Sequence, residues 1–167
     1  MIRRFLRARD LDVGKASAMF LKYLKWRHSF VPNGPISLSQ VTNEIADDKV
    51  FVQGHDKIGR PILVVFGGKH FQKKDGLEEF KRFVVYILDK LCASMADGQE
   101  KFVCIVELKG WGYSNSDVRA YITGLSILQM VFVENKKVKS TLEEDIDENQ
   151  LPEIYGGKLQ LVAIQDI

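Results

Sequence analysis

Apolar residues recur at helical spacing early in the chain. Val13, Ala16, Met19, Phe20, Tyr23 and Leu24 predict one buried stripe on a helix from Val13 to about His28, with Asp12 as its N-cap. Val31-Pro-Asn-Gly-Pro35 supplies the turn chemistry to end it. Val50 to Val52 is a short strand candidate, and Ile62 to Phe66 is a continuous apolar run of strand length. The polar Asp56-Lys-Ile-Gly-Arg-Pro61 lies between them, and Gly67-Gly68 follows, so the pair predicts a hairpin. From about Gly76 to Met95 the helical period returns, with Leu77, Phe80, Val84, Ile87, Leu88 and Leu91 as the stripe and Asp75 as cap. Phe102 to Val106 is apolar throughout, which suits a strand covered on both faces.

After Gly110-Trp-Gly112 the pattern predicts a helix capped by Ser114 or Ser116, carrying Val118, Tyr121, Ile122, Leu125 and Leu128. At Ser126 to Lys137, SILQMVFVENKK, the end of that helix runs into a strand pattern at Met130 to Val133 with no Gly, Pro or other turn residue between. A short helix after Ser140, a Leu151–Gly157 loop and a last strand from Leu159 to Ile164 complete the reading. A helical front part followed by alternating strands and helices predicts an α/β fold with a mixed or parallel sheet and flanking helices.

Composition adds limits. Of 167 residues, 46% are hydrophobic and 28% charged, as in ordinary globular domains. A net charge of +2 does not demand nucleic acid, and no nucleic-acid partner is expected. Cys92 and Cys104 lie in apolar runs and read as core thiols of a reducing compartment. No apolar stretch reaches the ~20 residues of a membrane span, and Arg3 and Arg4 interrupt any leader at once. The expectation is a cytoplasmic protein with at most peripheral membrane association.

Catalytic constellations are missing. His28, His55 and His70 stand apart, so neither a metal site nor a cofactor is expected. The triplets Gly67-Gly68-Lys69 and Gly156-Gly157-Lys158 lack the spacing and the Ser or Thr of a phosphate loop and read as turns. No nucleophile–base pair can be identified, and no enzyme is expected. The Glu143–Glu148 carboxylates read as a solvated face, and Glu107 as a strand-end residue reaching water or Lys109. Three basic sets remain: Arg4, Arg7 and Arg9; Lys69, Lys73 and Lys74; Lys136, Lys137 and Lys139. Each alone suits a solubilising surface; together they suit a domain that meets anionic lipid.

RFLRARDLDVGKA (Arg4 to Ala16), Phe20 to Arg27, DKIGRP (Asp56 to Pro61), VCIVELKG (Val103 to Gly110) and LPEIYGG (Leu151 to Gly157) follow one another in an order that resembles the CRAL-TRIO lipid-transfer family. The likeness is to its plant-type members, with a yeast phosphatidylinositol/phosphatidylcholine transfer protein as the family's prototype. The resemblance implies a helical N-terminal subdomain, residues 1–36, packed on a lipid-binding α/β domain, residues 37–167, whose sheet floors a deep apolar pocket for one phospholipid, of phosphatidylinositol type, or another hydrophobic small molecule. It implies non-enzymatic binding or transfer at a membrane surface. It also implies that a strand and the gating helix are missing at the Ser126–Lys137 junction, as in a shortened isoform, and that helices preceding Arg3 are clipped. Binding would then be impaired by loss of lid and head-group residues.

By the same resemblance Arg9 occupies a position that contacts the lipid head group; a salt bridge to Asp10 or Asp12 is the alternative. Asp10 replaces a lysine of the prototype. Val52, Leu63, Phe102 and Cys104 replace its choline-contacting hydroxyl residues, which speaks against choline-lipid recognition. With Val65 and Val106 they are the expected pocket lining. The competing expectation is a protein-interaction module that uses the uncovered apolar surface, self-association included.

Overall fold

The computed structural model describes residues 2–116 and 137–166. The chain divides into two compact units, Met1–Ile36 and Ser37–Ile167. In the first, α1 (Ile2–Arg7) and α2 (Val13–Phe30) form a helical pair. Asp12 caps α2: its Oδ1 accepts the Lys15 N–H at 2.9 Å. Asp10 and Leu11, both left-handed (φ 51° and 65°), make the turn between the helices. Phe5 meets Phe20 and Tyr23 at ring separations of 5.1 and 5.5 Å, and Trp26 stacks on Phe30 at 5.4 Å. Ala16 is the buried residue of α2, so aromatic contacts do most of the holding.

In the second unit α3 (Thr42–Ile45) precedes β1 (Val50–His55), β2 (Pro61–Phe66), α4 (Leu77–Ala93), β3 (Val103–Glu107) and α5 (Val138–Asp145). The sheet order is β1-β2-β3, antiparallel between β1 and β2 and parallel between β2 and β3. The architecture is mixed α/β, as the hydrophobic pattern predicts. The DKIGRP turn explains the hairpin chemically. The buried Asp56 carboxylate accepts the Ile58 and Arg60 N–H groups at 3.1 and 2.7 Å and pairs with the Arg60 guanidinium. Gly59 takes the left-handed position the turn requires (φ 76°). Arg60 reaches on to Asp145, and Lys57 donates to the carbonyls of Glu143 and Glu144, so the turn also caps the C-terminus of α5.

One face of the sheet carries the core. Phe51, Ile62 and Val64 cluster with Ile146, Leu151 and Tyr155, and Phe66, Val103, Ile105, Val138, Leu142 and Leu161 pack against them. A second anchor is polar. Lys49, buried just before β1, sends its ammonium to Glu44 Oε2 (2.6 Å) and Asp47 Oδ2 (3.0 Å) and lies 3.2 Å from His70 Nδ1. Its Nζ also sits over the Phe80 and Phe83 rings of α4. Buried charge persists only with partners of this kind. Asp47 additionally accepts from Lys73 at 2.9 Å, and Glu79 accepts from the Asn43 backbone and side chain.

Several expectations need correction. Leu159–Ile164 is not a strand. β1 carries an irregularity between Val52 and His55, and there the Gln53 side chain takes the Val162 N–H and donates to the Gln160 carbonyl. One side chain thus serves the backbone groups that strand pairing would have satisfied, leaving a single bridge between Pro152 and Leu159. In α4 the buried face is Phe83, Tyr86, Ile87 and Leu91, with Val85, while Leu77, Val84 and Leu88 are exposed. The apolar arc is wider than the layer it packs on, so the expected stripe follows the edge of that arc and the buried face lies to one side of it. Asp75 is left-handed (φ 59°) and Gly76 stands at the N-cap. α5 begins before Ser140, whose hydroxyl donates back to the Lys137 carbonyl. The expected helix and strand within 117–136, and with them most of the Ser126–Lys137 junction, lie outside the described residues.

Replacing Asp56 with Ala removes acceptors from two turn N–H groups and from Arg60. A loss of about 2–3 kcal/mol in urea unfolding is expected, against a change near zero for a substitution at exposed Ile58. Acid should act through Asp47 and Glu79. Burial alone would raise the Asp47 carboxyl, but hydrogen bonds and charge from Lys73 and Lys49 hold it below its ordinary value. The Asn43 side-chain hydrogen bond holds Glu79 down against partial burial. A depressed folded-state pKa stabilises fully above the unfolded value and is lost as pH falls through the folded one. Urea midpoints should therefore be flat from neutrality to about pH 5 and drop below about pH 4, with a shallower drop in Asp47→Asn.

Candidate functional site

Register and pleat decide what faces what. Val52 pairs with Leu63 and Leu63 with Cys104, while Val50 pairs with Val65 and Val65 with Val106. Side chains alternate along strands, so Val52, Leu63, Val65, Cys104 and Val106 share the face opposite the core cluster, and Phe102, just before β3, has the same parity. All six expected lining residues are therefore brought to one side of the sheet. They are apolar or weakly polar, and none carries a hydroxyl or a charge.

Cover over this face is graded. Val50, Val52 and Leu63 are buried, whereas Val65, Phe102, Cys104 and Val106 keep partial exposure. Burial nonetheless pushes the Cys104 thiol up to about 11, so it is protonated and unreactive at neutral pH. An open depression of about 240 Å³ lies where β1 meets the C-terminal end of α4, lined by Val52, Gln53, Gly54, His55, Lys90 and Ser94. Of the six expected residues Val52 alone lines it.

Arg9 lies in the Met1–Ile36 unit, exposed, with Nη1 donating to the Ala8 carbonyl at 2.8 Å. Asp12, one of its expected alternative partners, pairs with Lys15 at 3.3 Å. Each of the three basic sets has cations engaged within the fold, Arg9 among them. Lys69 donates to the Asp48 carbonyl, Lys73 binds Asp47 and the Asn43 carbonyl, and Lys139 pairs with Glu143. Glu107 reaches Lys109 through its backbone: the Glu107 Oε1 accepts the Lys109 N–H at 2.8 Å. Burial, and behind it the Glu107 charge, raises the Tyr155 hydroxyl.

Both Gly-Gly-Lys triplets are close-packing devices. A Cβ on Gly68 would sit 2.2 Å from the Lys109 carbonyl oxygen, and one on Gly157 would sit 2.0 Å from that of Leu151. Asn115, which sequence reasoning passes over, locks the first contact: buried, it donates to the carbonyls of Gly67 and Gly68 and accepts from Gly112 N–H. Sequence reasoning also misses the Glu44–Lys49 pair; a lysine amid Asp47, Asp48 and an apolar strand is its faint signal. Among the described residues no group of three His, Cys, Asp or Glu side chains could hold a metal ion, and no helix is long and apolar enough to cross a membrane.

Sequence comparison places the chain among known proteins. A CRAL-TRIO domain-containing protein of Schizosaccharomyces pombe is 26% identical over 125 residues, 70% of this chain and 28% of that protein. Patellin-5 of Arabidopsis thaliana is 32% identical over 99 residues, 54% of this chain and 14% of its own length. Protein real-time of Aedes aegypti is 29% identical over 106 residues, 59% of this chain and 16% of its length. The chain thus spans less than a third of each of these relatives. Residues 46–131, more than half of the chain and including all three strands and α4, match the CRAL/TRIO domain model, and the chain belongs to that family.

Proposed function

We propose that the chain binds one phospholipid of phosphatidylinositol type, or another hydrophobic molecule, against the open sheet face and exchanges it at membranes without bond chemistry. The observation that carries this is the shared face of Val52, Leu63, Val65, Cys104 and Val106, apolar across three strands and only partly covered toward β3. An acyl chain is stabilised by about 0.8 kcal/mol per buried CH₂, so a lipid leaves a bilayer only for a surface that covers most of its tail. Family membership supports lipid as the class of ligand. The lack of hydroxyls on that face argues against a choline-specific site.

We further infer that transfer is weaker than in relatives that carry a covered pocket. The exposed strip Leu77, Val84 and Leu88 on α4, with Leu108 and Trp111 beyond β3, leaves apolar surface open to water. That strip also favours a second reading, a protein-interaction module that associates through it.

Native mass spectrometry of the purified protein tests the first reading. A single adduct of lipid mass, or its appearance after incubation with phosphatidylinositol vesicles, is expected. No uptake from any lipid mixture, together with dimers on size exclusion that persist on dilution, would favour the second; the Val84→Ser variant should then be monomeric. Thiol labelling gives an independent measurement. Exposed Cys92 should react first at pH 8, and Cys104 should speed up as pH rises toward its pKa of about 11. Lipid loading should slow Cys104 by about fivefold or more and leave Cys92 unchanged; equal rates with and without lipid would refute ligand binding at this face.

A further inference from the structure

The charge of this chain is unevenly divided. Residues 1–36 carry eight Lys and Arg against Asp10 and Asp12, a net +6. The whole chain is +2, so residues 37–167 are net −4. Within the second unit Lys69, Lys73 and Lys139 are bound to carbonyls and carboxylates of the fold. In the first unit Arg3, Arg9, Lys22 and Lys25 are exposed, Arg9 donates to the Ala8 carbonyl, and two acids stand against eight cations.

The same unit exposes apolar side chains in a pattern. Val13, Ser17, Leu21, Leu24 and His28 fall within about 80° of the α2 circumference, along a helix roughly 27 Å long. Val13 is 68% exposed, Leu21 56% and Leu24 41%. This row is distinct from the sector through which Phe20 and Tyr23 meet Phe5. Lys25 lies along its flank, about 40° beyond Leu21, while Lys22 lies about 100° beyond it, on the polar side of the helix.

We propose that the Met1–Ile36 unit is a docking surface for an anionic bilayer, with Val13, Leu21 and Leu24 seated at the boundary of head groups and acyl chains, Lys25 on the lipid phosphates and carboxylates, and Lys22 adding to the positive field of the unit. Charge complementarity selects a negative partner. The apolar row selects among negative partners: a nucleic-acid backbone offers nothing to bury three aliphatic side chains, whereas the membrane interface does. The surface rests on the reading above in that it names where a lipid-handling domain meets its membrane.

Cosedimentation of the full chain with vesicles tests it. Binding to phosphatidylcholine vesicles containing phosphatidylserine should exceed binding to phosphatidylcholine alone by about tenfold or more and weaken with salt. Lys22→Glu with Lys25→Glu should lower it about tenfold, and so should Leu21→Ser with Leu24→Ser. These side chains are exposed, and circular dichroism should show helicity retained in both double variants. Equal binding to the two vesicle types overturns the proposal. So does unchanged binding by either double variant, or binding to duplex DNA that the Leu→Ser pair does not affect while vesicles fail to bind. Lipid uptake by native mass spectrometry is read separately: uptake without vesicle preference sinks the docking surface and leaves the cargo reading standing, and loss of both sinks both.

Discussion

The Asp56 carboxylate holds the β1–β2 hairpin in one register, and register decides which side chains meet which layer. Side chains alternate with a period of two, so a slip by one residue would move Val52 and Leu63 to the core face and send Phe51 and Val64 out of it. The turn prevents this with a buried acceptor for two backbone donors and with a left-handed Gly59. The parallel partner β3 inherits the register through Leu63–Cys104 and Val65–Val106. Arg60 and Lys57 then tie the same turn to the end of α5, which roofs the core. A single loop therefore aligns three strands and a helix.

How much of this can be read from the chain depends on whether a signal is local. The DKIGRP turn, the Asp12 cap and the two Gly-Gly turns are local chemistry, and each sits where the residues place it. Strands β2 and β3 are legible because four or more apolar residues in a row leave little choice, and β1 because Val50-Phe-Val52 precedes the turn that joins it to β2. What fails depends on contacts distant in sequence. Leu159–Ile164 has strand composition, yet the Gln53 side chain, 107 to 109 residues away, takes over its pairing. The α4 stripe is misplaced by pattern alone because Leu77, Val84 and Leu88 are as apolar as Phe83 and Ile87; only the packed layer distinguishes them. Lys49 reads as an ordinary surface lysine until Glu44, Asp47 and two phenylalanine rings close around it. For the candidate site, family resemblance names the six residues, and the ladder supplies the reason they belong together: they are the odd or even set of each strand that faces away from Ile62 and Val64.

Cation placement follows a similar logic. A lysine beside unsatisfied loop carbonyls is drawn into the fold, as Lys57, Lys69 and Lys73 are, because each ammonium brings three donors. Such a lysine contributes little to the field felt by a partner. In the Met1–Ile36 unit, with its two acids, positive charge is not offset in the same way. Basic stretches that look alike along the sequence thus differ in what they can do once the acids around them are counted.

Among the described residues the two faces of the sheet differ in the room they leave for an apolar ligand. On the core face Ile62, Val64 and Leu151 have no accessible surface, and Ile146 has almost none. Inserting even a few methylenes there would displace packed side chains, at a cost that overpacking makes comparable to the gain. On the opposite face burial is complete beside α4 at Val52 and Leu63 and fades toward Cys104 and Val106. Apolar area that remains wet after folding is area whose burial is still available to drive binding. On the proposed reading a hydrophobic molecule would gain most by lying across β2 and β3 on that side, where the lining residues offer neither a hydroxyl nor a charge to desolvate.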